Sequence, residues 1–271
     1  LSLSRLFYQQ GNFIEARHYL NRSMEADPKN ASATELLKRL QREERVESAF
    51  ERESSVHFTL FYPAGFPRDW VSEVLNLFED AYVRVGELMN SFPSQRTQVI
   101  VYSPNDFQKV STLPSWAGGL YDGKIRLPVP PTVSQAEQLR GAVQHEYCHH
   151  VVHLLAGNSC PTWLNEGLAQ IAEGLDPEKA RQHLQQYDPM RIPPLKALDG
   201  PFAHARKREA AETLYAQSLF AAQWLIEEKG WPALQELLES LAKKLSLDEA
   251  LLKTYGLNSE SFEDRLRKSL D

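Results

Sequence analysis

The residues best equipped for chemistry are His145, Glu146 and His149, in the run Gln144-His145-Glu146-Tyr147-Cys148-His149-His150. Residues four apart on an α-helix lie one above the other, so His145 and His149 can aim imidazole nitrogens at one metal ion about 2.0–2.1 Å away. Glu146 follows about 100° round the helix. That places its carboxylate beside the open coordination position, where a general base for an attacking water has to stand. A catalytic zinc takes three protein ligands and keeps one position exchangeable, so a third ligand must come from elsewhere in the chain. Glu166 is the best candidate. It lies in another helical pattern, Trp163-Leu164-Asn165-Glu166-Gly167-Leu168-Ala169, behind a loop whose Gly157, Asn158 and Pro161 suit a reversal of direction. An antiparallel helix there brings Glu166 back alongside both histidines, and Gly167 offers no side chain to obstruct close packing.

His-Glu-x-x-His arises by chance in roughly one chain of this length in a hundred. The simpler alternative is a helix with two surface histidines. Against it stand the apolar back formed by Val143, Tyr147, Val151 and Leu154, and the workable spacing of Glu166. Through these two segments the sequence resembles the gluzincin metallopeptidases of the peptidase MA-like superfamily. The segment from Trp163 to Ala169 is similar to the Trp-Leu-Asn-Glu-Gly-Phe-Ala segment of the aminopeptidase-N branch, whose glutamate is the third zinc ligand. The resemblance therefore gives Glu166 that role and implies one Zn²⁺ ion. Two departures leave the ligands intact: the connection is two residues shorter, and the aspartate that the thermolysin branch places four residues after its ligand glutamate is Gln170 here.

The same resemblance implies an α+β fold, with a thermolysin-like catalytic domain made of a small mixed sheet, the HExxH helix and a helical C-terminal subdomain. Tyr215, in Glu212-Thr213-Leu214-Tyr215-Ala216-Gln217-Ser218, resembles the tyrosine that several gluzincins point at the developing oxyanion, where a phenol donates without carrying charge. A core tyrosine is the alternative, and His204 is a lesser candidate for the same task. No Gly-Ala-Met-Glu-Asn segment is present to hold a substrate's free amine. Among gluzincins that favours an endopeptidase over an aminopeptidase.

The elements that must position these residues follow in order. Residues 1–30 resemble a tetratricopeptide repeat entered part-way, through Leu3, Phe7, Gly11, Phe13, Ala16, Leu20 and Asp27-Pro28, with 31–53 as a capping helix. One repeat is marginal alone, so upstream repeats and a docked protein partner are expected. From Ser54 the alternation of Val56, Phe58, Leu60 and Tyr62 predicts a strand. Helical spacing follows over 69–92, then a buried strand at 97–102 and a short helix at 104–110. Two short strands flank an Asp122-Gly123 turn, with Pro128 and Pro130-Pro131 suited to a sheet edge. In the resembling families this strand borders the cleft and pairs with an extended peptide. Ser134-x-x-Glu137 predicts a capping box for the metal helix, and His150 and His153 read as packing or supporting groups. Helices are expected at 177–186, 205–229 ending at Gly230, 231–243, 247–255 and 259–270. Two units result, 1–53 and 54–271, the latter divided into 54–155 and 156–271.

With 271 residues, 42% hydrophobic and 24% charged, the composition is globular and supports a sizeable core. A formal net charge of −6 gives no general attraction to phosphate backbones, so nucleic acid is not an expected partner. No run of about eighteen apolar residues occurs, so no membrane span is expected. Leu1 is not an initiator methionine, and a removed targeting segment is an open reading; an extracytoplasmic, periplasmic location is favoured over a cytoplasmic one. Cys148 reads as a core thiol. The expected activity is zinc-dependent hydrolysis of peptide bonds in a peptide or protein substrate. The rival is a catalytically silent, regulatory metal-binding scaffold, against which Glu146 argues, since a structural site needs no general base.

Overall fold

A computed structural model of the protein describes residues 1–9, 11–111, 118–129, 137–187, 191–198 and 208–270. Three helices open the chain, α1 (Ser2–Gln9), α2 (Phe13–Ala26) and α3 (Ala31–Glu47). Gly11, at φ 75°, breaks the first from the second. Asn12 and Asn30 cap α2 and α3 by accepting from the amides of Glu15 and Ala33. Tyr8, Ala16, Leu20, Ala33 and Leu40 make a small core of their own. Leu3, part of the expected repeat pattern, is half exposed instead.

The expected capping helix over 31–53 is too long. Helix α3 stops at Glu47, and Phe50–Ser54 is strand β1. Its backbone pairs antiparallel with β2 (Phe58–Pro63), and Phe50 packs with Val46 against Ile100 and Tyr102. These tertiary gains outweigh the intrinsic helical preference of Glu51, Arg52 and Glu53.

With β3 (Thr97–Tyr102), β4 (Leu120–Tyr121) and β5 (Ile125–Pro128), a five-stranded mixed sheet forms in the order β1-β2-β3-β5-β4. The central strands β2, β3 and β5 run parallel, and β1 and β4 close the edges antiparallel. Alternation sets the two faces. Phe58, Leu60, Val99, Val101, Ile125 and Leu127 face the main core, while Phe61, Ile100 and Tyr102 face a separate cluster. The main face is covered by α4 (Arg68–Met89) and α6 (Arg140–Ala156), the other by α3 and α5 (Pro104–Val110). Pro128 sits in β5, inside the sheet's order, where it ends the ladder opposite Tyr102. The edge belongs to β4.

Ser134 of the expected capping box lies outside the described residues, as do Pro130-Pro131 and His204. Helix α6 starts at Arg140 after a 3-10 turn at Glu137–Leu139, without a side-chain cap. After it come α7 (Thr162–Glu173), α8 (Pro177–Leu184), α9 (Arg208–Ala242), α10 (Leu247–Tyr255) and α11 (Ser259–Lys268). Helix α9 is interrupted at Gly230, whose φ of 76° divides it into the two segments expected from the sequence. A Cβ on Gly167 would overlap the carbonyl oxygen of Ser218, so α7 and α9 meet backbone to backbone there. No helix among the described residues is long and apolar enough to cross a membrane.

Candidate metal centre

Burial of Val143, Tyr147 and Val151 against the sheet and α4 fixes the rotation of α6 and turns His145, Glu146 and His149 to the opposite side. Leu154, expected on the same apolar back, is half exposed. The helix ends at Gly157 with φ 60°, a 3-10 turn spans Gly157–Ser159, and Pro161 precedes α7. Trp163, Leu164 and Leu168 then bury one side of α7, leaving Glu166 to face α6.

Among the described residues, His145, His149 and Glu166 each offer a ligand atom, and these atoms lie within 4.8 Å of one another. His145 Nε2 is 3.6 Å from Glu166 Oε2, and His149 Nε2 is 3.8 Å from Glu166 Oε1. Tetrahedral ligands at zinc distances stand about 3.3–3.4 Å apart, close to these two separations. The cluster is also unfinished as it stands: Glu166 Oε2, Glu146 Oε2 and His149 Nδ1 are buried without hydrogen-bond partners. Buried polar atoms of this kind require a missing partner. Two imidazoles and one carboxylate are a donor set that suits Zn²⁺. The residues therefore fit the ion.

Electrostatics point the same way. Burial disfavours a charged imidazole at His145, but the neighbouring carboxylates of Glu166 and Glu173 outweigh it and push the group up to about 10. Burial lowers His149, with Glu166 opposing. Burial would raise Glu166, but His149 and His145 hold it below its ordinary value. The carboxylates thus favour positive charge at this cluster, which a dication would supply. Glu146, 6% exposed, is pushed up to about 8 by burial, with His145 opposing and Glu166 and Glu173 adding to the rise.

Supporting groups surround the ligands. Glu173 Oε2 is 3.0 Å from His145 Nδ1, leaving Nε2 free for a metal. Glu173 is not among the residues that the sequence singles out. Its signal is its place seven residues after Glu166, two turns on and on the same helix face. Gln170 is not such a group: its amide donates to the backbone oxygens of Glu166 and Tyr215, tying α7 to α9. Asn165 lies against His149. His150 spans Thr97 Oγ1 at 3.1 Å and the Tyr121 hydroxyl at 3.2 Å, and His153 packs on the Tyr121 ring, so both brace α6 against the sheet. Cys148 is fully buried in the main core.

These residues line a cleft of about 660 Å³. Gly118, Gly119, Leu120 and Tyr121 form one wall, and Tyr215 and Glu212 of α9 lie on the other side. A Cβ on Gly119 would stand 2.5 Å from Glu146 Oε1, so only glycine lets this wall approach the carboxyl. Burial, reinforced by Glu166, Glu146 and Glu173, raises Tyr215 well above the ordinary phenol range and keeps it a neutral donor.

No curated protein matches the chain. Two similar solved structures are a two-domain M1 zinc metallopeptidase bound to L-arginine and an M1 zinc metallopeptidase from Deinococcus radiodurans. Each is 18% identical with a TM-score of 0.46, over 82% of this chain and 52% of the other. The chain thus spans about half the length of these structures. The family model of the peptidase MA superfamily matches residues 78–271, most of the chain and the whole of the His145, His149 and Glu166 cluster, and the chain belongs to that superfamily.

Proposed function

We propose that the protein is a zinc-dependent peptidase, acting within peptide chains, in which His145, His149 and Glu166 hold one Zn²⁺ ion. The observation that carries this reading is the gathering of those three side chains beside a buried, unpartnered Glu146 carboxyl in an open cleft. A bound zinc ion supplies Lewis acidity, polarising a carbonyl and making water acidic near pH 7. Glu146 takes the proton of the attacking water and delivers it to the leaving amine. Tyr215 donates its hydroxyl to the oxyanion formed on the substrate carbonyl. Glu173 keeps His145 in the tautomer that presents Nε2 inward.

The edge strand β4 supports binding of an extended peptide by main-chain hydrogen bonds. The three helices of residues 1–47, read as a tetratricopeptide-type segment, serve to dock a protein partner or substrate. A silent scaffold is disfavoured by Glu146, since a buried carboxyl without a structural partner costs stability.

The test is Glu146→Gln. It should retain one equivalent of zinc and lose cleavage of an unfolded protein by about 10³-fold, within the range for removal of a general base. Full activity in the variant, or zinc-loaded wild type inert on every unfolded protein and peptide tried, overturns the assignment.

A further inference from the structure

On the face of the sheet away from the metal lies another cluster of charged groups, fully built and unused by the chemistry above. Arg126 of β5 is 2% exposed. Its guanidinium reaches Asp122 Oδ2 at 3.1 Å, Glu47 Oε1 at 3.0 Å, Glu43 Oε2 at 3.0 Å and the Tyr8 hydroxyl at 3.1 Å, and also donates to the Tyr102 hydroxyl. The Tyr8 and Tyr102 hydroxyls in turn donate to Glu43 at 2.6 Å and Glu47 at 2.5 Å. Arg39 of α3 forms an ion pair with Asp122 and bonds Glu43 at 2.9 Å. Lys124, 1% exposed, rests over the rings of Tyr8 and Phe13. Three cations thus face three carboxylates, Arg39, Arg126 and Lys124 against Glu43, Glu47 and Asp122. An electroneutral set is tolerable in a dry interior, and loss of one member is not.

The cluster joins two things that sequence separates. Glu43, Glu47 and Arg39 belong to α3, whereas Asp122 and Arg126 belong to the hairpin of β4 and β5. In that hairpin Arg126 stands directly opposite Leu120, beside the Gly118–Tyr121 wall of the cleft. Strand β4 is two residues long, too short to hold its own position by ladder bonds.

We propose that α3 is a brace for the cleft: through Arg126 and Asp122 it fixes the β4 edge at the position where a peptide is bound. Arg126, Asp122 and Arg39 are positioning residues for substrate, although none of them lines the cleft. The link to peptide binding rests on the peptidase reading; the brace itself does not.

The test uses the full, zinc-loaded chain with Arg126→Lys, which keeps a charge but cannot span these acceptors, and the milder Arg39→Gln at a half-buried position. Amide exchange in residues 118–128 should speed up about tenfold or more in the first and several-fold in the other, with α6 and zinc content unchanged. KM for a peptide of about ten residues should rise several-fold in both, with kcat changing less, while a short blocked peptide spanning only the scissile bond is little affected. If Arg126→Lys fails to fold, Arg39→Gln decides alone. Unchanged hairpin exchange, or a rise spread evenly over the chain, overturns the brace. Faster hairpin exchange with unchanged KM overturns its role in binding. If wild type cleaves nothing, the peptidase reading falls and exchange still decides the brace.

Discussion

Glu173 shows how much of the centre depends on a residue that coordinates nothing. Its carboxylate fixes the orientation of His145 from 3.0 Å, and partners in this position usually contribute 10–100-fold to metal affinity. Glu173→Ala should therefore weaken zinc binding by about 10–100-fold, read by competition with a chromophoric chelator, while helix content stays the same. Unchanged affinity would remove Glu173 from the site. His145, His149 and Glu146 are legible in the sequence because their spacing is a helical repeat. Glu173 and Gly119 are not: the first needs the direction of α7 to be known, and the other acts through a contact with Glu146 that no local pattern encodes.

Among the elements, α7 carries the heaviest demands, since it brings Glu166 to α6 while resting on α9. Gly167 is the point of closest approach, where a Cβ would collide with the Ser218 carbonyl and stand 2.7 Å from Ala222 Cβ. Overpacking of this kind costs roughly 1–3 kcal/mol. Gly167→Ala should lower stability by about that amount in urea denaturation, and should also reduce zinc affinity because α7 can relieve the clash only by moving Glu166. Most helices are readable from apolar spacing, and α5 and α10 begin and end where the sequence places them. Strand β1 is not, because Phe50-Glu51-Arg52-Glu53-Ser54 has no alternation and becomes a strand only when β2 offers it a partner. Helix α6 is described from Arg140, behind a 3-10 turn at Glu137–Leu139, whereas the expected capping box rests on Ser134, outside the described residues.

For the molecule as a whole, the charged cluster between α3 and the hairpin ties the N-terminal helices to the sheet and gives stability a pH signature. Burial, with Arg126 adding to it, lowers Lys124 from 10.5 to about 8, against the opposing pull of Glu43 and Glu47. Between those two values the unfolded chain binds more protons than the folded one, so this group makes stability rise with pH, by about 1 kcal/mol per unit. Lys124→Met lacks that contribution. Relative to the variant, wild type should gain stability as pH climbs from 8 toward 10, as measured by paired urea titrations; a constant difference would show that Lys124 keeps its proton throughout. None of this long-range wiring is visible in the sequence, where Arg126 and Glu43 are separated by most of the first half of the chain. The two borders of the sheet also differ. Strand β1 turns Glu51, Arg52 and Glu53 outward and exposed, and such a fringe of mixed charge repels a neighbouring sheet in any register that sets like signs opposite each other. The opposite border is brief and lies against the cleft, so the described residues offer no long flat rim through which copies could polymerise, and concentrated solutions should resist fibril formation while the fold stays intact.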